Sequence, residues 1–207
     1  MNNKLKSLIE EISQAVNIIP SERKVELDAI VKLIVQHINE EEKLEIIVVC
    51  THNSRRSQLG EVWINTLAQY LGLEKNIVAY SGGMEETAFN VRMVNALIDC
   101  GFEMSKIVEG ENPRYRADYL ELEYHPMFSK VYDDAMNPKS GFMAFMVCDH
   151  ADENCPIVLG MKYRIPLRYK DPKEFDDSEF ESEAYINKVK EIGREMFYLL
   201  SEVRRLS

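Results

Sequence analysis

"LEIIVVCTHNSRRSQLGEVW", residues 44–63, passes from an apolar run through a polar loop into an amphipathic segment. The run "LEIIVV" is rich in β-branched residues and nearly continuous, as expected of a parallel strand buried on both faces. Cys50 ends it. From Ser57 to Leu71 the period changes: Leu59, Val62, Trp63, Thr66, Leu67 and Tyr70 line one side of a helix. A buried strand, a short loop and a helix form the opening unit of an α/β sheet.

The rest of the chain repeats the alternation. "IVAYSGG" (77–83) reads as a second strand ending in glycines, and Asn90 to Cys100 as a helix stopped by Gly101. "GFMAFMVC" (141–148) is a third apolar strand. "RIPLRY" (164–169) is a fourth, and Pro166 assigns it to an edge. Glu183 to Leu200 closes the chain as a helix with Ile186, Val189, Ile192, Met196, Leu199 and Leu200 as its stripe. The expected fold is a doubly wound α/β domain: a four-stranded parallel sheet with helices on both faces. Residues 110–140 are rich in Tyr and Pro and alternate weakly; they read as an inserted loop or hairpin near the sheet edge.

Ahead of the strand, Leu5, Leu8, Ile9, Ile12 and Val16 recur at helical spacing. Ser21 is placed to cap a second helix carrying Leu27, Ile30, Val31, Ile34 and Ile38, and the charged "NEEEK" (39–43) breaks it. Residues 1–43 thus form an N-terminal helical arm ahead of a catalytic domain at 44–207. A packed extension is the first reading of the arm, a partner-binding or dimerising arm the second.

The 207 residues are 45% apolar and 29% charged, with a formal charge of −10. That charge argues against general nucleic-acid binding, which rests on clustered Lys and Arg. No run approaches the length needed to span a bilayer, and the opening, Met1 to Glu11, lacks a secretory apolar region. Four cysteines are too few for a disulfide scaffold at this length, so a reducing cytoplasm is the expected setting.

In an open α/β sheet, ligands bind beyond the carboxyl ends of the strands, where Cys50 lies. The loop Thr51, His52, Asn53, Ser54, Arg55 leads directly into a helix. Amides at a helix N-terminus bind anions, and the same field favours the thiolate of a nearby cysteine. Arg56 offers a planar fork matched to a tetrahedral oxyanion, and Ser57 a hydroxyl to the sulfur. Five residues between Cys50 and Arg56 let the loop curl around one such anion, so Thr51 to Arg55 and Ser57 are the expected oxyanion-binding residues. The chemistry also needs a proton donor for the leaving group. Asp171, held extended by Pro172, is the candidate.

"VCDHADENCP" (147–156) carries the remaining chemistry. Cys148 and Cys155 are spaced to close a disulfide across a loop, to serve as unrelated core cysteines, or to bind zinc. The zinc set of Cys148, His150 and Cys155 lacks a fourth ligand at the usual spacing, with His125 remote, so no metal is expected. Cys100 reads as core. His37, His125 and His150 read as surface or structural, and the acidic "EFDDSEFESE" (174–183) as a solvated face.

"CTHNSRRSQ" followed by Asp171-Pro172 resembles the low-molecular-weight tyrosine phosphatase superfamily. "VCDHADENCP" before "KDPKEF" resembles its thioredoxin-coupled arsenate reductase branch, over roughly residues 44–200. The resemblance implies a phosphotyrosine phosphatase I-like fold and a relay. Cys50 attacks arsenate, Arg56 and the loop amides hold it, and Asp171 protonates the departing oxygen. Cys148 then attacks Cys50, releasing arsenite, and Cys155 attacks Cys148 to leave a disulfide that thioredoxin reduces. No cofactor is implied. Asn53 matches a loop-stabilising asparagine, and Glu61 a position near a potassium site in some relatives. His52 stands where the family usually has glycine, which implies positive φ at a bulkier residue, and Arg55 replaces a small residue or cysteine.

Two activities share Cys50, Arg56 and Asp171: arsenate reduction, and hydrolysis of phosphotyrosine or another phosphomonoester. Only the first needs Cys148 and Cys155. A non-enzymatic phosphate- or protein-binding module is the third reading.

Overall fold

The computed structural model describes residues 1–41, 43–120, 126–148 and 158–207. Helices α1 (Asn3–Gln14) and α2 (Ser21–Glu41) precede strand β1 (Leu44–Cys50) and helix α3 (Arg56–Leu71). Strand β2 (Ile77–Gly83), helix α4 (Val91–Asp99), and strands β3 (Met104–Val108) and β4 (Arg114–Ala117) follow. Strands β5 (Met143–Met146) and β6 (Tyr163–Pro166) and helix α5 (Glu181–Leu206) complete the chain.

The main sheet runs β2-β1-β5-β6 and every pair in it is parallel. This is the four-stranded α/β sheet expected from the alternation. β1 is central, which accounts for its continuous apolar run: six of its residues are buried, and only Glu45 is partly exposed. Pro166 ends the edge strand β6, where its missing N–H breaks no ladder bond.

Helix α3 is buried along most of its length, from Ser57 to Ala68, because the sheet and α5 close on it. Trp63 Nε1 donates to the Val189 carbonyl of α5 at 2.8 Å. A Cβ at Gly193 would lie 2.4 Å from the Trp63 ring, so only glycine lets α5 approach this closely. Helix α5 extends six residues past the Leu200 expected to end it, its added turn buried at Val203. The apolar faces of α1 and α2 join the same core as the sheet. Asp28 accepts from the Tyr198 hydroxyl of α5 at 2.7 Å, and Glu11 pairs with Lys190 at 2.6 Å.

Strands β3 and β4 form a separate antiparallel pair. Beyond them, the chain at 127–137 runs along the outer side of β2. Gly83 N–H donates to the Lys130 carbonyl and Tyr132 N–H to the Gly83 carbonyl, both at 2.9 Å. Asn137 Nδ2 reaches the Ser81 carbonyl at 3.0 Å. No described helix is long and apolar enough to cross a membrane.

Candidate active site

Cys50 ends the central strand, and the chain turns at once through Thr51–Arg55 into α3. The loop is held from outside by atoms from two other segments, residues 84–88 and Ser129. The Thr51 carbonyl accepts from Met84 N–H at 2.8 Å and Glu85 N–H at 2.9 Å. The His52 carbonyl accepts from Ser129 Oγ at 2.8 Å and Thr87 Oγ1 at 3.1 Å. Ser54 Oγ donates to the Ala88 carbonyl at 2.7 Å. A Cβ at Gly83 would lie 2.7 Å from Asn53 N and 2.9 Å from Thr51 O, so the loop packs on β2 only because that position is glycine.

With its carbonyls turned outward, the loop's N–H groups are left over. None from His52 to Gln58 has a hydrogen-bond partner among the described residues, and no side chain caps α3. Orphan amides at a helix start, gathered around one loop, have the arrangement that an anion cradle requires.

Asn53 organises the cradle. Its φ of 46° is the loop's left-handed residue, so the strain inferred for His52 falls one position later, on a residue type that tolerates it. Asn53 is fully buried. Its Oδ1 accepts from Lys130 N–H at 2.9 Å and Gln58 Nε2 at 3.1 Å. A backbone N–H can only donate, so the amide orientation is fixed and Nδ2 faces Ser57 Oγ, 2.8 Å away. Ser57 Oγ therefore accepts from Asn53 and has its own hydrogen for Cys50 Sγ, at 3.0 Å. Both lone pairs of Asn53 Oδ1 are taken, so Asn53 does not fit as a ligand of a potassium ion.

The two arginines diverge. Arg56 directs Nη1 to the Tyr169 carbonyl at 2.8 Å and Nη2 to Asp171 Oδ2 at 2.6 Å. Its Nε is buried without a hydrogen bond. Arg55 contributes its amide to the loop, but its guanidinium turns away, to Tyr185 Oη at 2.8 Å and Asp176 Oδ2 at 3.1 Å. Tyr185 Oη in turn donates to Asp176 Oδ1 at 2.7 Å, closing a triangle. Asp171 is extended (φ −75°, ψ 128°), as a residue before proline should be, and its Oδ1 accepts from Lys173 N–H. The His52 side chain is exposed, 3.6 Å from Glu85.

Cys148 follows β5, which pairs with β1 in a register that sets Val49 opposite Met146. Continuing that register brings Cys148 beside Thr51, and its Sγ lies 3.5 Å from Thr51 Oγ1. Cys148 is buried, as is Cys100, whose thiol is pushed up to about 11 by burial. Cys155, His150 and His125 lie outside the described residues.

Residues not anticipated from sequence support this site. Gln58, Ser129 and Lys130 brace the loop from below. Asp176 lies in the acidic run expected to be solvated, yet it is mostly buried between Arg55 and Arg92. Asp177 and Glu181 of the same run also pair with Arg92, at 2.6 Å and 2.9 Å.

Residues 45–113 match the family described as low molecular weight phosphotyrosine protein phosphatase. The arsenate reductase of Halalkalibacterium halodurans is 28% identical over 153 residues, 73% of this chain and 91% of that protein. An arsenate reductase of Bacillus cereus is 30% identical over 145 residues, 68% of this chain and 86% of that protein. Among solved structures, the thioredoxin-dependent arsenate reductase of Corynebacterium glutamicum matches over 100% of this chain and 99% of that one, at 15% identity and a TM-score of 0.43. With the Cys50 loop inside the matched family region and the curated relatives covered over most of their length, the chain belongs to the low-molecular-weight tyrosine phosphatase superfamily, in its arsenate reductase branch.

Proposed function

We propose that this protein reduces arsenate to arsenite through Cys50, Cys148 and Cys155. The Cys50 thiolate attacks arsenic(V) while the loop amides and Arg56 hold the remaining oxygens. Asp171 gives a proton to the departing oxygen, which leaves as water. The Cys148 thiolate then attacks Cys50 Sγ. The electron pair of the sulfur–arsenic bond passes to arsenic, which leaves as arsenite, and a Cys50–Cys148 disulfide remains. Cys155 attacks Cys148 and frees the Cys50 thiolate, and thioredoxin supplies the two electrons that reopen the Cys148–Cys155 disulfide. The cycle requires a reducing compartment such as the cytoplasm.

One observation carries this reading above the others: a second buried thiol, Cys148, at the rim of the anion loop and 3.5 Å from the residue after the nucleophile. Hydrolysis of a phosphate ester has no use for it. Arg56 supports the binding role with a buried Nε that has no partner of its own, suited to a tetrahedral anion.

The match of residues 45–113 to a phosphotyrosine phosphatase family favours a second reading. There Cys50 forms a phosphocysteine that water hydrolyses, with the same Arg56 and Asp171. Steady-state turnover of Cys148→Ser separates the two. The reductase reading expects loss of thioredoxin-dependent arsenate reduction with p-nitrophenyl phosphate hydrolysis largely kept. Undiminished arsenate turnover in both Cys148→Ser and Cys155→Ser removes the relay.

A further inference from the structure

Arg23 lies on α2, in the N-terminal arm, far along the chain from the anion loop. Its Nε donates to Glu195 Oε2 at 3.0 Å, and its Nη2 reaches the same oxygen at 3.0 Å. Its guanidinium also stacks over the Tyr169 ring, 5.1 Å from the centroid. The Tyr169 hydroxyl donates to Glu195 Oε2 at 2.7 Å. Glu195 and Tyr169 are both buried. A buried carboxylate stripped of its cation is costly, so Arg23 sets the conditions under which Glu195 can hold Tyr169.

Tyr169 is held at its other end by the catalytic loop. Its carbonyl accepts from Arg56 Nη1 at 2.8 Å, and its N–H donates to the Val147 carbonyl at 3.1 Å, one residue before Cys148. Arg56 has two hydrogen-bonding partners among the described residues: Tyr169, and Asp171, two positions further along the chain. The Tyr169 backbone therefore anchors the arginine, and the Tyr169 ring is fixed by a clamp whose cation comes from the arm.

We propose that Arg23 is a positioning residue: through Glu195 and Tyr169 it sets the Arg56 guanidinium for the oxyanion, and so makes the N-terminal arm part of the active site's support. This rests on the anion-binding role of Cys50 and Arg56 proposed above. The arm then acts on the chemistry in its own chain, beyond covering apolar surface.

The test uses the full chain with Arg23→Met, Arg23→Lys and Tyr198→Phe. The last removes the bond from α5 to Asp28 of α2 without touching Tyr169. Two readouts are taken beside a thermal melt: protection of Cys50 by inorganic phosphate against alkylation by iodoacetamide, and KM against kcat for p-nitrophenyl phosphate. In Arg23→Met the phosphate concentration for half-protection rises about tenfold, the effect of one charge-assisted hydrogen bond. KM rises more than kcat falls. Arg23→Lys recovers most of the difference, and Tyr198→Phe matches wild type in both. Half-protection unchanged in Arg23→Met, or raised equally by Tyr198→Phe, overturns the proposal. If Arg23→Met does not fold, Glu195→Gln carries the test: it keeps the shape and weakens the clamp, and an unchanged half-protection again overturns it. Wild type with no phosphate protection removes the anion-site reading itself, and this inference with it.

Discussion

Ser57 Oγ stands 3.0 Å from Cys50 Sγ and accepts from Asn53 Nδ2 at 2.8 Å, which leaves its own hydrogen available for a thiolate at position 50. The chain of donors begins at the Lys130 backbone, which fixes the Asn53 amide. The hydrogen bond to sulfur is strongest when the sulfur is charged. Ser57→Ala therefore slows alkylation of Cys50 by iodoacetamide at pH 7, and lowers kcat by about 10- to 100-fold, the range of one hydrogen bond to a charged group. Wild-type alkylation and turnover in Ser57→Ala would contradict the assignment. Asn53→Ala moves both in the same direction and also costs stability, about 1–3 kcal/mol, since it leaves the buried Lys130 N–H unpaired, whereas Gln58 Nε2 keeps the Asn53 and Phe128 carbonyls.

Gly83 is the contact point between the loop and β2. Gly83→Ala puts a methyl 2.7 Å from Asn53 N and 2.9 Å from Thr51 O. The backbone there cannot yield cheaply, so stability falls by about 1–3 kcal/mol, with activity falling further as the amides lose their common focus. Chemical denaturation and p-nitrophenyl phosphate turnover, measured together, check both. Wild-type values in each would mean that the loop is not seated on this strand.

The triangle of Arg55, Tyr185 and Asp176 joins the anion loop to the segment that follows Asp171. Tyr185→Phe removes two of its three hydrogen bonds. Asp171, the proposed proton donor, is then held less firmly, and the loss is expected where protonation matters most. Hydrolysis of phenyl phosphate, with a poor leaving group, falls about tenfold, whereas dinitrophenyl phosphate, which needs little protonation, changes less. Equal losses on both substrates would assign Tyr185 to stability alone.

Burial raises several weak acids. The Cys100 thiol is pushed up to about 11 and the Tyr80 and Tyr185 phenols up to about 12, by desolvation first and, for the tyrosines, by Glu45 and Asp176 next. Desolvation, and then Glu195, raises Tyr169 well above its ordinary value. The folded chain keeps these protons at pH values where the unfolded chain releases them, from about pH 9 to 10 upward. The folded state then binds more protons than the unfolded one, so stability falls as pH rises. The urea midpoint is expected to decline steadily from about pH 9 toward pH 12. A midpoint as high at pH 11 as at pH 8 would contradict this.

How far each feature was legible in the sequence follows from how local its signal is. β1 and α3 were readable because a β-branched run and a helical period each lie within one short window, and Cys50, Arg56 and Ser57 flank one five-residue loop. The extended backbone of Asp171 was readable through Pro172. The bracing residues have no such signature. Ser129 and Lys130 meet His52 and Asn53 across 77 residues, and Tyr185 meets Arg55 across 130. Asp176 looked solvated because its neighbours in the acidic run are charged, but only the fold brings Arg55 and Arg92 to it. The family resemblance points to His52, as a substitute for glycine, for positive φ, whereas the left-handed turn falls on Asn53.

The central claim is that Cys50 takes the oxyanion and Cys148 takes Cys50. A single turnover of Cys155→Ser with arsenate, without thioredoxin, tests it most directly, because the relay then stops after its second step. Peptide mapping is predicted to find a Cys50–Cys148 disulfide, formed together with one equivalent of arsenite per chain. Arsenite released with both thiols still free, or no arsenite and no disulfide at all, would contradict the account.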